Sequence, residues 1–235
     1  MASGQRNAPE TIPRSLPRGR AHLPREVVLV SQRERLLEAA VAVVGDRGYA
    51  ATTVADVIAR ARVSRTTFYE QFRDKEQAVL AAYAQRAAHH YERVLDATRR
   101  QPGVLACLQE GVRAYLRGLA ADRAYARLAL LEVLAAGERG AAAREAADRR
   151  YVALLADWHQ RVRADDASVP PVPPELFVAA VGGVGELAAA RVRQGLSDTL
   201  PTLAPVVVTL LLNVGAVPAG RELAAALISA RIRRA

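Results

Sequence analysis

Cysteine is nearly absent from this sequence of 235 residues, and aromatic residues make up only 5% of it. The single cysteine, Cys107, excludes an intramolecular disulfide and a zinc site built on several thiolates. We expect it to be a small buried hydrophobic residue in a reducing compartment, which favours a cytoplasmic location. The N-terminal stretch also lacks the apolar segment of a signal peptide, in agreement with that expectation.

The sequence also has no apolar run long enough to cross a membrane. Its most apolar stretch, Leu203 to Pro218, contains Pro205, Thr209 and Asn213 and falls short of the roughly 20 residues that a helical span needs. We therefore interpret this stretch as a buried interface helix and expect no membrane partner.

Patterns of catalytic residues are missing as well. We find no phosphate-binding Walker loop, no zinc-protease helix and no nucleophile elbow. Cys107 has no histidine or acidic residue nearby in the sequence that could activate it. His89 and His90 are adjacent, so they point to different faces of a helix and form a poor metal pair. We expect no enzymatic activity, no cofactor and no metal. An all-α enzyme is the weaker alternative, which substrate turnover would reveal.

What the sequence does contain is apolar helical patterning and positive charge. Hydrophobic residues make up 51% of the chain, the formal net charge is +9 and the pI is near 10.5. No alternating strand pattern and no fixed-period repeat is visible, so we predict an all-α protein. The positive charge favours a polyanionic partner such as nucleic acid.

The segment Thr52 to Glu76 has the pattern of two short helices joined by a tight turn. Thr53 and Asp56 have the spacing of a capping box, and an apolar stripe follows at helical spacing. Ser64 can cap a second helix, in which Phe68 and Phe72 form the buried face. Two helices in this arrangement place the second one in the major groove of DNA.

The outward face of this second helix carries side chains suited to DNA. Hydroxyl, amide and guanidinium groups bind phosphate oxygens and base edges. Lys75, the single lysine of the chain, opens the next helix beside them. We assign base contacts to Arg65 and Thr66 and phosphate contacts to Thr67, Tyr69 and Lys75, with Gln71 as a further candidate. Thr53 would present the N-terminus of its helix to a phosphate.

This segment resembles the DNA-binding signature of TetR-family transcriptional regulators, closely over residues 33 to 80. The resemblance rests on Gly48-Tyr49, Thr52-Thr53-Val54-Ala55-Asp56, Val63-Ser64, Thr67-Phe68-Tyr69, Phe72 and Lys75-Glu76. Two positions depart from the family pattern. Arg62 stands where the family usually has glycine in the turn, and Gln71 stands where it usually has histidine.

The resemblance and the helical pattern together predict three regions. Residues 1–23 form a basic arm rich in proline, which is either a solvated tail or a minor-groove arm. Residues 24–75 form the helix-turn-helix DNA-binding domain, whose first helix begins at Pro24 or at Ser31. Residues 76–235 form a helical domain for ligand binding and dimerisation. In it we predict helices at 103–120, 122–136, 138–165, 175–195, 200–215 and 218–234.

TetR-like proteins use the helical body as a small-molecule pocket and pair two copies through a four-helix bundle. The glycines of the helix at 175–195 would permit the close helix approach that such pairing needs. For the pocket we select inward-reading residues that carry a polar edge or a flat apolar face. These are His90, Tyr115, Leu131, Tyr151 and Trp158. For the dimer interface we select Phe177, Val181, Val184, Leu187, Leu203, Val206, Val207, Leu210 and Leu211.

The sequence thus predicts a dimeric, sequence-specific regulator that binds a near-palindromic, double-stranded operator. We expect a repressor released by an unidentified small-molecule effector, with an activator as the open alternative. A non-specific architectural DNA-binding protein without an effector is the competing hypothesis.

Overall fold

The computed structural model describes residues 25–216. The predicted basic arm at 1–23, the possible helix start at Pro24 and the predicted helix at 218–234 lie outside the described residues. Within 25–216 the chain is helical and contains no strand, which confirms the predicted all-α architecture. The helices are α1 (Arg25–Arg47), α2 (Val54–Ala61), α3 (Arg65–Gln71), α4 (Lys75–Arg99), α5 (Val104–Ala121), α6 (Arg123–Arg127), α7 (Gly137–Asp165), α8 (Pro174–Arg193) and α9 (Ala204–Val214).

The N-terminal helices begin and end where the sequence predicts, because their caps form. Thr53 and Asp56 make both hydrogen bonds of a capping box at the start of α2. The Ser64 hydroxyl accepts the Thr67 amide at the start of α3, and the Asp74 carboxylate accepts the Gln77 amide at the start of α4. Of the two predicted starts of α1, the one at Ser31 is wrong, since the helix already includes Arg25 and passes through Ser31 without a break.

The segment after α6 is the largest departure from the predicted helices. We expect one helix at 122–136, but α6 ends at Arg127 and continues as a π-helical turn, Leu128–Glu132 (the π turn), and then a 3₁₀ turn, Val133–Ala136. Gly137 has a φ of +67°, a conformation that glycine adopts without steric cost, and the chain reverses there into α7. The break at Gly137 follows the prediction, whereas the two turns before it do not.

The most apolar stretch also differs from its prediction as a single helix at 200–215. Ser197–Leu203 forms a 3₁₀ helix that contains Pro201, and α9 follows from Ala204. By length and composition, Ser197–Val214 could cross a membrane, but half of this window is buried inside the protein. A buried core helix has the same composition, so these features alone do not indicate a membrane span.

The N-terminal helices dock onto the helical body through a close approach of α1 to α6. A Cβ atom added to Gly45 would lie 2.6 Å from the Cα atom of Ala124. Only a residue without a side chain fits between the two helices at this distance. The hydrophobic core accordingly runs without interruption from α1 through the body, with Leu36, Val44 and Leu128 all fully buried.

The turn residue Arg62 gives a test of backbone strain. Its backbone lies in the left-handed region, with φ 54° and ψ 48°, which costs a non-glycine residue on the order of 1 kcal/mol. We expect Arg62→Gly to raise the free energy of unfolding by about 0.5 to 1 kcal/mol, because glycine removes this strain at some entropic cost. Urea denaturation of the chain in the absence of DNA measures the change.

The neighbouring arginine provides the matched control. Arg60 lies in regular helical backbone on the exposed side of α2. Arg60→Gly is expected to lower the free energy of unfolding by about 1 kcal/mol, because glycine weakens a helix interior. A loss of stability in both variants would contradict the assignment of strain to Arg62.

Candidate nucleic-acid interface and effector cavity

The helix α3, which we call the reader helix, is anchored by aromatic residues on its inner side. Phe68 and Phe72 are fully buried, and their ring centroids lie 5.8 Å apart. Burying two such side chains gives the short reader helix stability that its seven residues could not supply alone. The opposite side of the helix is thereby fixed towards solvent.

Three of the predicted DNA contacts lie on this solvent-facing side. Arg65 and Thr66 are exposed, and Tyr69 retains 46% of its surface. The Arg65 guanidinium carbon lies 5.6 Å from the centroid of the Tyr69 ring, within range of a cation–π interaction. Together with Glu70 these side chains surround a shallow depression on the surface. Their contacts with DNA stay predictions.

Two predicted phosphate ligands have hydroxyl groups that already make hydrogen bonds at the start of a helix. The Thr53 hydroxyl donates to Asp56 Oδ2 at 2.7 Å, and the Thr67 hydroxyl lies 2.9 Å from the Ser64 hydroxyl. The hydrogen bonds of Thr53 hold the pKa of the Asp56 carboxyl below its usual range. A hydroxyl oxygen that donates one hydrogen bond can still accept another, so contact with solvent or DNA donors is retained, but donation to a phosphate requires rearrangement.

Gln71 is only half-exposed and faces α1 rather than open solvent. Its side-chain oxygen accepts a long hydrogen bond of 3.5 Å from the Arg33 guanidinium, which also lies over the Phe72 ring at 4.6 Å. Arg33 therefore lies beside Gln71, the position at which this chain lacks the histidine of the family pattern. Sequence reasoning missed Arg33, because Arg33 and Gln71 are 38 residues apart in the chain.

Lys75 joins the turn before α2 to the start of α4. Its ammonium group donates to the Tyr49 carbonyl oxygen at 2.9 Å and lies 4.3 Å from the Tyr49 ring centroid. The pKa of Tyr49 is raised by burial and by the carboxylates of Glu76 and Asp74. An ammonium group has three donors, and two remain for a phosphate. Lys75 therefore has an internal structural role in addition to the phosphate contact predicted for it.

Glu70 is the residue of this surface that the sequence analysis overlooked. It is exposed beside Arg65, Thr66 and Tyr69, and it makes no ion pair with any residue in the range 25–216. A carboxylate at a DNA interface is repelled by phosphates but can accept a hydrogen bond from cytosine N4. Its position four residues after Thr66 on one helix face is the signal that could have identified it.

The helical body contains a partly open cavity of about 90 Å³ between α4, α5, α7, α8 and α9. Its walls are mainly aliphatic side chains. Asp148 and Arg161 both line it on α7, and 13 residues of helix separate them by about 20 Å. The cavity is therefore elongated along α7. Its lining is Val94, Thr98, Cys107, Leu108, Gly111, Val112, Tyr115, Asp148, Tyr151, Leu154, Leu155, Trp158, Arg161, Val181, Val184, Val207 and Leu211.

Three of the five predicted pocket residues line this cavity, and two do not. Tyr115, Tyr151 and Trp158 are in the walls, with the Trp158 indole nitrogen donating to the Val104 carbonyl oxygen at 2.8 Å. His90 lies behind the walls, and Leu131 belongs to the π turn. The prediction that all five line one pocket needs this correction, because periodicity along a helix does not show which inner face meets a void.

His90 is instead the centre of a buried cluster of tyrosines. Its Nδ1 lies 3.0 Å from the Tyr151 hydroxyl, and its Nε2 lies 3.0 Å from the Tyr115 carbonyl oxygen. Burial lowers the pKa of His90 to about 4, so the imidazole is neutral at physiological pH. The Tyr115 and Tyr151 rings pack edge to face with centroids 5.3 Å apart. His90 therefore positions the two cavity tyrosines.

One end of the cavity is polar, and we call Tyr115, Asp148 and Tyr151 its polar end. Burial raises the pKa of Tyr115 to about 12, so its hydroxyl stays protonated. The Asp148 carboxylate accepts the Arg144 Nε at 3.0 and 3.2 Å, and burial raises its pKa despite this pairing. The Arg144 guanidinium also donates to the Ala129 carbonyl oxygen in the π turn at 2.7 Å.

The π turn connects this polar end to the DNA-binding helices. Glu132, at its last position, accepts the backbone amide of Tyr49 at 2.9 Å and the Arg127 guanidinium at 3.1 Å. The Tyr49 carbonyl in turn accepts Lys75 at the start of α4. Hydrogen bonds thus join Asp148 to Arg144 and Arg144 to the π turn. Glu132, the last residue of the π turn, is hydrogen-bonded in turn to the turn before α2.

The residues predicted for the dimer interface divide into two groups. Leu187 and Val206 are exposed, at 38% and 47% of their surface, whereas Val181 and Leu210 are half-buried. The other five of the nine residues predicted for the dimer interface pack inside the same chain. These buried residues are Phe177, Val184, Leu203, Val207 and Leu211. The two helices are apolar on both sides, and periodicity could not show which side faces outward.

An apolar surface nevertheless remains open on α8 and α9. Added Cβ atoms at Gly182 and Gly183 would meet nothing within 4 Å, so these glycines face open space. Gly185, in contrast, packs against Arg144 inside the chain. We call the open surface the α8–α9 face. It consists of Leu176, Val178, Gly182, Gly183, Leu187 and Val206.

Between residues 25 and 216 no group of three or more histidine, cysteine, aspartate or glutamate side chains is arranged to hold a metal ion. His90 and His159 are buried and make hydrogen bonds with neighbouring protein groups.

Sequence comparison identifies the N-terminal helices. Residues 36–82 match the family model described as bacterial regulatory proteins of the tetR family. The match includes α2, the reader helix and the beginning of α4, and it confirms the resemblance to TetR-family regulators drawn from residues 33 to 80. No curated protein matches the chain by sequence.

Solved structures extend the similarity over the helical body. The fatty acid degradation regulator FadR from Bacillus halodurans is 20% identical, with a TM-score of 0.71 over 77% of this chain and 94% of its own. FadR from Bacillus subtilis in complex with stearoyl-CoA is 19% identical, with a TM-score of 0.69 over 76% and 96%. A regulatory protein of the tetR family from Rhodococcus RHA1 is 22% identical, with a TM-score of 0.62 over 78% and 96%. At these identities the similarity shows a shared fold, a helix-turn-helix region followed by a helical domain.

Proposed function

We propose that this chain is a homodimeric, sequence-specific repressor whose binding to operator DNA is relieved by an elongated, mainly apolar effector. The observation that carries the DNA-binding part is the reader helix. Its aromatic side is buried, and its opposite side presents Arg65, Thr66 and Tyr69 to solvent. In this proposal residues 24–75 bind DNA, and residues 76–235 bind the effector and the second subunit.

The shape of the cavity supports an elongated effector. Aliphatic side chains form most of its walls over the roughly 20 Å between Asp148 and Arg161 on α7. Such walls favour an apolar chain, because transfer of that chain from water gains free energy in proportion to the area buried. Arg161 is exposed and pairs loosely with Asp157 at 3.4 Å, and its remaining guanidinium donors would bind an anionic head group at one end. The FadR complex with stearoyl-CoA supports a ligand of this kind.

The hydrogen bonds through the π turn provide the route for release. An effector that fills the polar end packs against Asp148 and its partner Arg144 and so changes the support of the π turn. The π turn holds Glu132 against the Tyr49 amide, and Tyr49 is joined to Lys75 beside the reader helix. An effector shifts DNA affinity only if it binds more tightly when these contacts are rearranged.

The α8–α9 face supports the dimer. It contains exposed aliphatic residues beside two glycines that would allow the helices of a second copy to approach closely. Two copies of α8 and α9 would then form a four-helix bundle about a two-fold axis. A two-fold dimer presents two reader helices to successive major grooves about 34–36 Å apart, which matches a near-palindromic operator.

An architectural protein without sequence preference is the second candidate, favoured by the net charge of +9. The architectural hypothesis leaves the cavity and its polar end without a function. Selection of binding sites from a random pool of duplex DNA separates the two candidates. A recovered near-palindrome supports the repressor, and a pool without enrichment would favour the architectural protein.

The assigned DNA contacts predict different consequences for two substitutions. Arg65→Ala is expected to relax preference at one base position of the selected operator, at a cost of about 1 to 3 kcal/mol on that operator. Lys75→Ala is expected to weaken binding to all sequences alike and to reduce the salt slope by about one. Fluorescence anisotropy with operator variants at several salt concentrations measures both changes.

Circular dichroism controls for the fold of both variants, because Lys75 also holds the Tyr49 carbonyl. Equal loss of affinity for every operator variant upon Arg65→Ala would show that Arg65 does not read a base.

The proposed dimer predicts that a charge on the α8–α9 face separates the subunits. Leu187→Glu places a carboxylate on this face and is expected to convert dimers to monomers, because burial of an unpaired charge is unfavourable. Leu134→Glu is the matched control, since Leu134 is an exposed leucine of the 3₁₀ turn after the π turn. Sedimentation velocity distinguishes the states. A monomer with Leu134→Glu but not with Leu187→Glu would place the interface elsewhere.

The proposed route of release predicts that effector binding and DNA release can be uncoupled. Glu132→Ala removes the acceptor of the Tyr49 amide without altering the cavity walls. We expect the affinity for stearoyl-CoA to stay within about twofold, and the effect of stearoyl-CoA on operator affinity to fall about tenfold. Anisotropy with and without saturating stearoyl-CoA measures this.

Glu145→Ala, on the exposed surface of α7, serves as the control and should release operator as the unmodified chain does. Undiminished release by the Glu132 variant would remove the π turn from the mechanism.

A further inference from the structure

The polar end of the cavity carries a hydroxyl group that the protein itself leaves without a partner. Tyr115 lines the cavity, and its hydroxyl makes no hydrogen bond with any residue of the described range 25–216. The neighbouring Tyr151 hydroxyl is bound to His90, and Asp148 is bound to Arg144. Polar groups inside proteins are usually hydrogen-bonded, so an unpaired hydroxyl on a residue that lines a cavity points to a ligand group.

The groups around this hydroxyl define what it can bind. The Tyr115 phenol stays protonated, so it donates a hydrogen bond, and it can accept one as well. Asp148 lies in the same wall, and while it is ionised its carboxylate accepts hydrogen bonds and donates none. Arg144 uses its guanidinium on Asp148 and on the Ala129 carbonyl oxygen. A donor and an acceptor side by side fit a neutral group that both accepts and donates, such as an alcohol.

We propose that the effector carries a hydroxyl group on the part of its apolar chain that reaches the polar end. Tyr115 donates a hydrogen bond to this hydroxyl, and the hydroxyl donates to Asp148. This inference rests on the proposed function, since it names the chemical class of the same effector. The effector is an amphipathic chain with an anionic head near Arg161 and an alcohol at the far end.

A chain that ends in a methyl group binds less well at this end. It would displace water from Tyr115 and Asp148 and offer no hydrogen bond in return. Sites built around hydrogen bonds discriminate strongly against ligands that lack the bonding group. The hydroxyl also meets Asp148 where Arg144 is bound, so it acts on the first hydrogen bond of the route to the π turn.

The test compares hexadecanoate with 16-hydroxyhexadecanoate, two probes that differ in one hydroxyl. Isothermal titration of the full chain is expected to give tighter binding of the hydroxy acid by about tenfold or more. Tyr115→Phe should abolish this advantage while leaving the affinity for hexadecanoate unchanged. The variant should keep its stability, because the hydroxyl that it loses has no partner in the described chain.

Tyr91→Phe is the matched control, since Tyr91 packs against Tyr151 outside the cavity walls. It should retain the preference for the hydroxy acid. Equal affinity of the unmodified chain for both acids would overturn the hydroxyl inference and leave the proposed apolar effector intact. A preference that survives Tyr115→Phe would remove Tyr115 from the site. Binding of neither acid would overturn both the inference and the proposed effector class.

Discussion

The contact between Glu132 and the Tyr49 amide is a constraint that connects the helical body to the turn before the helix-turn-helix. One carboxylate oxygen accepts the amide before α2, and the other accepts the Arg127 guanidinium at the end of α6. The adjacent Gly48 has a φ of +83°, and an added Cβ atom would lie 3.1 Å from a Glu132 oxygen. The turn that precedes the helix-turn-helix is therefore shaped to receive a side chain from the helical body. The position of the reader helix depends on that body.

The π turn is well suited to transmit a change because its hydrogen-bond pattern is irregular. A π turn widens the helix locally, and such turns occur frequently at functional sites. Here the widened turn leaves the Ala129 carbonyl bound to Arg144 on α7. Arg144 also pairs with Asp148 in the cavity wall and packs against Gly185 on α8. A single half-buried guanidinium thus contacts a residue of the cavity wall, the π turn and the helix that carries the open α8–α9 face.

Each of the helices α8 and α9 packs one side against the cavity and the core and leaves the other side exposed. Inward residues such as Val184 and Val207 form cavity wall and core, and outward residues such as Val178 and Val206 are exposed. This arrangement explains why both helices are apolar around their circumference. The cavity and the proposed subunit interface are separated by one layer of helices, so occupation of one can influence the geometry of the other.

Sequence alone determined the all-α class, the caps at Thr53, Ser64 and Asp74, and the outward direction of Arg65, Thr66 and Tyr69. These features depend on residues within one or two helical turns of each other, where spacing fixes geometry. Tertiary structure alone decided that Lys75 binds Tyr49, that His90 lies behind the cavity and that Phe177 and Val184 point inward. It also decided that residues 128–136 leave the α-helical pattern, and it assembled Asp148, Arg144 and Glu132 into one series. Those arrangements join residues far apart in the chain, and apolar periodicity cannot distinguish a side that faces a cavity from one that faces solvent or a second subunit.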